Sequence, residues 1–300
     1  MNNENTVAVV TATYNRANLL TNLYESLLNQ TSKDFIWIII DDGSTDNTKD
    51  LIKYFILENK INIIYKFYEN SGKHRAINKA IDICNNKLFF IVDSDDILTN
   101  NSIEKIIEFE KTIKNKEKYC GIAGLKADYK GDLVIKEFLY ECLDATSLEA
   151  TYKYKLFGDK AEVFYTNILK ENKFPEIEGE KFITENVLWH KIAAMGYKIR
   201  WFNEIIYLCE YREDGLTKNA LKNVVKNCKG ETFYHNQELL FNIPIKYKFK
   251  HQINYFRFGL FTNFGIVKLL NNCNLKYLIP LTLPMGVLAN MYTRYKLRSR

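Results

Sequence analysis

Glycine and proline are scarce, with 13 and four among 300 residues, which excludes a collagen-like, low-complexity or largely disordered chain. The six cysteines (Cys84, Cys120, Cys142, Cys209, Cys228, Cys273) form no Cys-x-x-Cys pair, which argues against a zinc ribbon or a small disulfide scaffold and for buried thiols in a reducing compartment. Residues Met1 to Thr6 lack the charged and long apolar regions of an export signal, so a cytosolic body is expected. Neither a Gly-x-Gly-x-x-Gly nor a Gly-x-x-x-x-Gly-Lys-Ser/Thr loop occurs, which disfavours dinucleotide and P-loop folds. The longest uncharged stretch, 277–293, has 17 residues interrupted by Pro280, Pro284, Gly286 and Asn290, short of the roughly 20 apolar residues of a spanning helix. Negative charge is missing altogether after Glu238. From Leu239 to Arg300 there are ten Lys/Arg and no Asp or Glu, so an acidic body of net −4 carries a tail of +10. The natural partner of such a tail is polyanionic, an anionic lipid surface or a nucleic acid.

What is present is 47% hydrophobic residues in an ordered pattern. Short apolar runs at Val7–Val10, Phe35–Ile40, Ile61–Tyr65 and Leu88–Val92 alternate with segments whose apolar residues recur at helical spacing: Leu19, Leu20, Leu23 and Leu27; Leu51, Ile52 and Phe55; Ile77, Ala80 and Ile81. The pattern predicts an α/β fold with a mostly parallel sheet flanked by helices. Residues 1–238 are expected to form one domain, with a soft boundary at 236–244 and a helical, basic, aromatic-rich extension over 239–300. Trp37 within an apolar strand and Trp189 at helical spacing from Ile192 read as core residues.

In a parallel sheet, ligands bind beyond the carboxyl ends of the strands. Three such ends carry polar clusters: Thr11-Ala12-Thr13-Tyr14-Asn15-Arg16, Asp41-Asp42-Gly43-Ser44-Thr45-Asp46 and Asp93-Ser94-Asp95-Asp96. Two carboxylates at a strand tip, Asp93 and Asp95, suit a divalent ion such as Mg²⁺ or Mn²⁺ that also holds a diphosphate. The competing reading is that the cluster caps the helix that follows. Asp41 and Asp42 sit where a nucleoside would be met, and Ser44 or Asp46 is expected to cap the next helix. Gly72-Lys73-His74-Arg75 opens a helix with backbone N–H groups and cations suited to phosphate or ribose, or else forms an exposed basic first turn.

The order Val-Val-Thr-Ala-Thr-Tyr-Asn-Arg, Ile-Ile-Asp-Asp-Gly-Ser-Thr-Asp, Asp-Ser-Asp-Asp resembles glycosyltransferase family 2 over about residues 5–215. The resemblance implies a GT-A fold, a nucleotide-diphosphate sugar donor, most often a UDP-sugar, a Mn²⁺ or Mg²⁺ ion held by the Asp-x-Asp motif, and inversion at the anomeric carbon. It places Asp95 as principal metal ligand with Asp93 in support. Donor-binding positions follow at Ala12, Tyr14, Asp42, Lys73, His74, Asp93 and Arg212, with Asp42 at the nucleoside. Ala12 departs from the proline that many members carry. The resemblance also implies a general base at the start of a helix in the second half of the domain, where Thr184-Glu185-Asn186 precedes an aromatic-rich segment; this assigns Glu185 as the base. Glu178 and Glu180 compete for that role, and a capping Thr184 with Glu185 facing the helix dipole is the structural alternative. Arg212 or Lys218, in a segment similar to the one that closes over the donor in these enzymes, would face the leaving diphosphate.

The processive members carry several spanning helices and a Gln-x-x-Arg-Trp motif, both missing here, so transfer of a single sugar is expected. With the tail on the inner face of a cell membrane, the acceptor is expected to be a glycan or glycolipid, such as a lipid-linked glycan in bacterial surface polysaccharide assembly. The alternative for the tail is a helical subdomain packing on the body or on a second subunit. The rival functions are a sugar-phosphate nucleotidyltransferase, which expects a glycine-rich basic signature after the first strand where Thr11–Arg16 has no glycine, and a nucleic-acid binder working through the tail.

Overall fold

The computed structural model describes residues 6–135, 141–209 and 220–299. They form two compact units, one from the described residues of Met1–Lys173 and Met195–Tyr211, the other from those of Phe174–Ala194 and Arg212–Arg300. The boundary expected at 236–244 falls inside the second unit.

The first unit runs β1 (Val7–Thr13), α1 (Ala17–Leu28), β2 (Phe35–Asp41), α2 (Thr48–Glu58), β3 (Ile63–Phe67), α3 (Lys73–Ile83), β4 (Leu88–Ile91), β5 (Ile97–Leu98), α4 (Ser102–Lys111), β6 (Tyr119–Asp128), β7 (Cys142–Ala145), α5 (Ser147–Tyr152), β8 (Ala161–Tyr165), α6 (Thr166–Glu171) and, after the excursion into the second unit, β9 (Lys198–Cys209). Its nine strands make one sheet in the order β3-β2-β1-β4-β8-β6-β9-β5, with β7 pairing β9. The first four strands are parallel neighbours, because each is separated from the next by a helix that carries the chain back across the sheet. Beyond β4 the sheet is mixed: β8 joins β4 and β6 antiparallel, and β6 pairs β9 in parallel. The expected parallel character thus describes the first half of the sheet.

Burial follows the apolar pattern. Leu19, Leu20, Leu23 and Leu27 of α1 are buried, Trp37 and Trp201 are in the core of this unit, and Tyr24 of α1 stacks on Phe55 of α2 at 3.9 Å between centroids. The register sets the functional edge. Thr13 pairs with Asp41, Asp41 with Phe67, and Val10 with Ile91, so the carboxyl ends of the four parallel strands open on one side.

The second unit is helical: α7 (Asn186–Ala194), α8 (Ala220–Lys226), α9 (Cys228–Glu238), α10 (Ile245–Gly259), α11 (Gly265–Asn272) and α12 (Ile279–Arg298). A buried polar chain ties three of them together. His190 Nδ1 on α7 lies 2.7 Å from Glu238 Oε1 on α9, His251 Nε2 on α10 lies 3.9 Å from Glu238 Oε2, and His235 Nδ1 lies 2.8 Å from His251 Nδ1. Burial, with His235 beside it, pushes the His251 imidazole down to about 4, so it is neutral at physiological pH. His190 therefore serves this internal pairing. Among the described residues no helix is long and apolar enough to cross a membrane.

Candidate active site

The second strand-end cluster is built around its own backbone. Asp41 Oδ1 accepts the Ser44 N–H at 2.8 Å and its Oδ2 accepts the Tyr65 hydroxyl at 2.8 Å. Asp42 reaches the next loop instead: its Oδ1 accepts the Ser71 N–H and its Oδ2 the Gly72 N–H, both at 2.8 Å, while Asn70 Nδ2 donates to its carbonyl. Gly43 permits this contact. Its φ is +88°, and a Cβ there would stand 2.7 Å from Asn70 N. Asp42 is thus a clamp that fixes the loop opening α3.

Asp46 takes the capping role expected of it or Ser44. Its carboxylate accepts from Thr48 N at 3.0 Å, in the first turn of α2, and from Ala17 N at 3.3 Å, in the first turn of α1. Burial would raise its pKa, and these hydrogen bonds hold it below the usual carboxylate range. Asn15 joins the first two clusters, since its Oδ1 accepts the Thr45 N–H at 2.8 Å and its own N–H donates to Ser44 Oγ at 2.9 Å. Tyr14 is exposed at this edge, Ala12 is half-buried and Thr13 is buried.

The third cluster is a tight turn rather than a continuation of β4, closed by Asp96 N–H donating to Asp93 O at 3.2 Å. The turn leaves Asp93 and Asp95 half-exposed and buries Ser94 and Asp96. It caps no helix, because β5 separates it from α4, whose N-cap is Asn101. Lys73, at the start of α3, reaches across to Asp93 at 2.6 Å. Burial alone would raise the Asp93 carboxyl, but Lys73 and Lys126 hold it below its ordinary value. Burial and the Asp93 charge push Asp95 upward, and the same two causes bring Asp96 up to about 7. His74, next to Lys73, lies on the buried face of α3.

Sequence reasoning missed Tyr207 on β9. It is fully buried; its hydroxyl accepts the Asp93 N–H at 2.9 Å and donates to Asp96 Oδ2 at 2.7 Å, and Lys126 Nζ sits 4.0 Å from its ring centroid. A tyrosine in an apolar run carries no local signal of that role. Tyr207→Phe is expected to lower unfolding stability by about 1–3 kcal/mol, since it removes the hydroxyl that accepts the Asp93 N–H and donates to the buried Asp96 carboxyl; urea unfolding of the two proteins checks it.

Glu185 stands in the second unit. Its carbonyl accepts the first helical bonds of α7, from Leu188 N at 2.9 Å and Trp189 N at 3.1 Å, which puts its half-buried side chain at the helix start. The segment before it is pinned to α9: Asn227 Oδ1 accepts the Lys181 and Phe182 N–H groups at 2.9 and 3.1 Å. Glu180 is buried and accepts the Gly230 N–H at 3.1 Å, whereas Glu178 is exposed. Arg212 and Lys218 lie outside the described residues. A cavity of about 620 Å³ in the first unit, lined by Cys84, Lys87, Tyr165 and Tyr197 among others, contains none of the expected site residues and lies at the opposite end of β4.

Three strand ends, one of them carrying the acidic turn, and a clamped loop lie along one edge of the sheet. Residues 8–115, which span all of these, match the model of glycosyl transferase family 2. The chain carries a family 2 glycosyltransferase domain. Around this domain, an uncharacterized glycosyltransferase of Rickettsia bellii is 36% identical over 103 residues, 34% of this chain, and the chain spans only 15% of that protein's length. An Escherichia coli protein, the UDP-Glc:alpha-D-GlcNAc-diphosphoundecaprenol beta-1,3-glucosyltransferase WfaP, is 26% identical over 258 residues, covering 83% of this chain and 96% of WfaP. The fold is shared with Staphylococcus aureus TarS 1–349, crystallised with UDP-GlcNAc, at a TM-score of 0.67 and 17% identity over 98% of this chain and 91% of that one. The expected α/β fold of GT-A type is thus present, with a sheet that is parallel in its first half and mixed beyond, together with the expected helical C-terminal region.

Proposed function

We propose that the chain transfers one sugar, with inversion, from a UDP-sugar to a hydroxyl of a lipid-linked glycan at an anionic membrane surface. The observation that carries the donor half is the Asp93–Asp96 turn, which projects two half-exposed carboxylates beside the ends of β1 and β2 and caps no helix. The acceptor half is supported by WfaP, whose name specifies a diphosphoundecaprenol-linked acceptor and a UDP-Glc donor. The membrane half is supported by the +10 tail, and with it a peripheral place on the cytoplasmic face.

Among the described residues no three His, Cys, Asp or Glu side chains converge to hold a metal ion unaided. Two carboxylates on one turn do fit Mn²⁺ or Mg²⁺ shared with a substrate, because such ions are commonly held by one or two carboxylates plus phosphate oxygens. Asp95 would hold it, with Asp93 in support once Lys73 turns to the diphosphate. A bound ion there would supply neutralisation of the charge developing on the departing nucleotide. Lys73 adds a cation on the same side, Asp42 keeps the loop before α3 in place with lone pairs left for the nucleoside, and Ala12 and Tyr14 line the adjoining strand tip. Glu185 would take the acceptor hydroxyl's proton.

A panel of nucleotide sugars with Mn²⁺ or Mg²⁺ and a polyprenyl-diphosphate GlcNAc acceptor tests the reading through release of nucleoside diphosphate. UDP release that depends on both ion and acceptor is expected. Release from no donor, or formation of nucleotide sugar from sugar phosphate and nucleoside triphosphate, would refute it.

A further inference from the structure

The last helix, α12, is built inside out. Its buried positions, Thr282, Gly286, Asn290 and Thr293, are small or polar and recur at helical spacing along one side. That side packs on α10. Asn290 Nδ2 donates to Arg257 O and Arg257 Nε donates to Thr293 Oγ1, each at 2.8 Å, and a Cβ on Gly286 would stand 2.5 Å from Phe256 Cβ. The apolar core of this region is made by Leu239, Tyr255, Phe256, Leu269 and Cys273, to which α12 adds only Ile279 and Leu283 at its start.

The opposite side is apolar and open. Leu281, Met285, Leu288, Met291 and Tyr295 follow one another at intervals of three or four residues, Tyr292 stands beside Met291, and all six are 45–70% exposed. A surface helix of a water-soluble domain has the reverse arrangement. Small and polar residues facing the neighbouring helix, with large apolar ones facing outward, is the arrangement of helices that pack in lipid. Tyrosines stand at both ends of the ridge, Tyr277 before it and Tyr292 and Tyr295 at its close, and Lys276, Lys296 and Arg298 flank them.

We infer that the outer face of α12 is a docking surface for an anionic lipid bilayer, lying in the interface with its apolar ridge in the acyl boundary and its flanking cations on the headgroups. Charge complementarity selects this occupant. A second copy would bring a +10 tail against a +10 tail, whereas an anionic leaflet would meet Lys276, Lys296 and Arg298 beside the ridge, in a segment that carries no acid over Leu239–Arg300. The inference deepens the membrane part of the proposed function, names the element that makes the contact, and rests on none of the donor chemistry.

Co-sedimentation of the full chain with vesicles tests it. The protein is expected to pellet with equimolar phosphatidylcholine and phosphatidylglycerol, to stay in the supernatant with phosphatidylcholine alone, and to be released by salt. Leu288→Asp with Tyr292→Asp, both at exposed positions, should weaken partitioning at least about tenfold, and Lys296→Glu with Arg298→Glu should weaken it too. Met291→Trp, which keeps the ridge apolar, should show a blue shift of its fluorescence on the anionic vesicles. UDP release with a detergent-dispersed polyprenyl-diphosphate GlcNAc acceptor and no vesicles should be unchanged in Leu288→Asp/Tyr292→Asp, so failure of the docking face and failure of the donor site are read separately. Wild-type protein that stays soluble with anionic vesicles would overturn the inference. So would full binding by Leu288→Asp/Tyr292→Asp, or a vesicle-free dimer that this variant dissolves, which would assign the face to a second copy.

Discussion

Asp95→Ala is expected to abolish ion-dependent sugar transfer, a loss of about 10³-fold or more, while leaving the thermal midpoint unchanged or slightly raised. The two halves of this expectation come from one observation. Asp95 is half-buried on a turn that it shares with Asp93 and Asp96, and both burial and the Asp93 charge push its carboxyl above the ordinary range. A carboxyl whose folded-state value is raised costs the folded state free energy wherever it is ionised. Where it is ionised, Asp95 therefore opposes folding, and its removal relieves that cost. A cation bound there would reverse the like-charge repulsion between Asp93 and Asp95. Lys73 already fulfils part of that role at Asp93, at 2.6 Å, so Asp95 is the carboxylate on which an added ion has the larger effect. Transfer assays and thermal unfolding of the same preparation separate the two effects; an inactive protein that has also lost stability would point to a structural role.

Glu185→Ala is expected to cut transfer by about 10²–10⁴-fold while UDP-sugar binding stays at the wild-type level. The assignment gains from elimination within the second unit. Glu180 is turned inward onto the Gly230 amide, and Glu178 is on an exposed stretch before the pinned segment. Glu185 alone of the three sits at the start of α7, and α7 is anchored behind it by His190 to Glu238 and by Gln237 Nε2 donating to Val187 O at 2.8 Å. A general base has to be held firmly, and these bonds tether the start of α7 within its own unit. Glu185→Gln keeps the size and removes the basicity, so it should be as inactive as alanine if proton transfer is the role. Normal transfer by Glu185→Gln would reassign the base.

The first half of the sheet was legible because its strands are short apolar runs separated by amphipathic helices, three of them with a polar cluster at the carboxyl end. Val7, Phe35, Ile63 and Leu88 open strands where the runs begin or within two residues of them. The second half was not, because β6, β8 and β9 pair across long separations that no local pattern records. Tyr207 lies 111 residues beyond Asp96 and reads as one more apolar position of a strand. The partner of Asp42 was hidden for a related reason: a carboxylate at a strand tip suggests a ligand, and only the fold reveals that the Ser71 and Gly72 amides arrive there first. The tail was legible in charge but not in orientation. Its lack of acids is visible in the residue order, whereas the ordinary rule that apolar residues face inward places α12 the wrong way round. His74 was legible as a position the resemblance associates with donor binding, whereas its burial on α3's packed face was not.

The central claim is that the ends of β1, β2 and β4 hold a nucleoside diphosphate together with a divalent ion. Calorimetric titration of UDP into the protein, with and without Mn²⁺, addresses it without any need for the right sugar or acceptor. Saturable one-to-one binding that Mn²⁺ strengthens about tenfold or more is predicted, in keeping with two carboxylates and the diphosphate sharing one ion. UDP binding indifferent to Mn²⁺, or no binding of any nucleoside diphosphate, would contradict it.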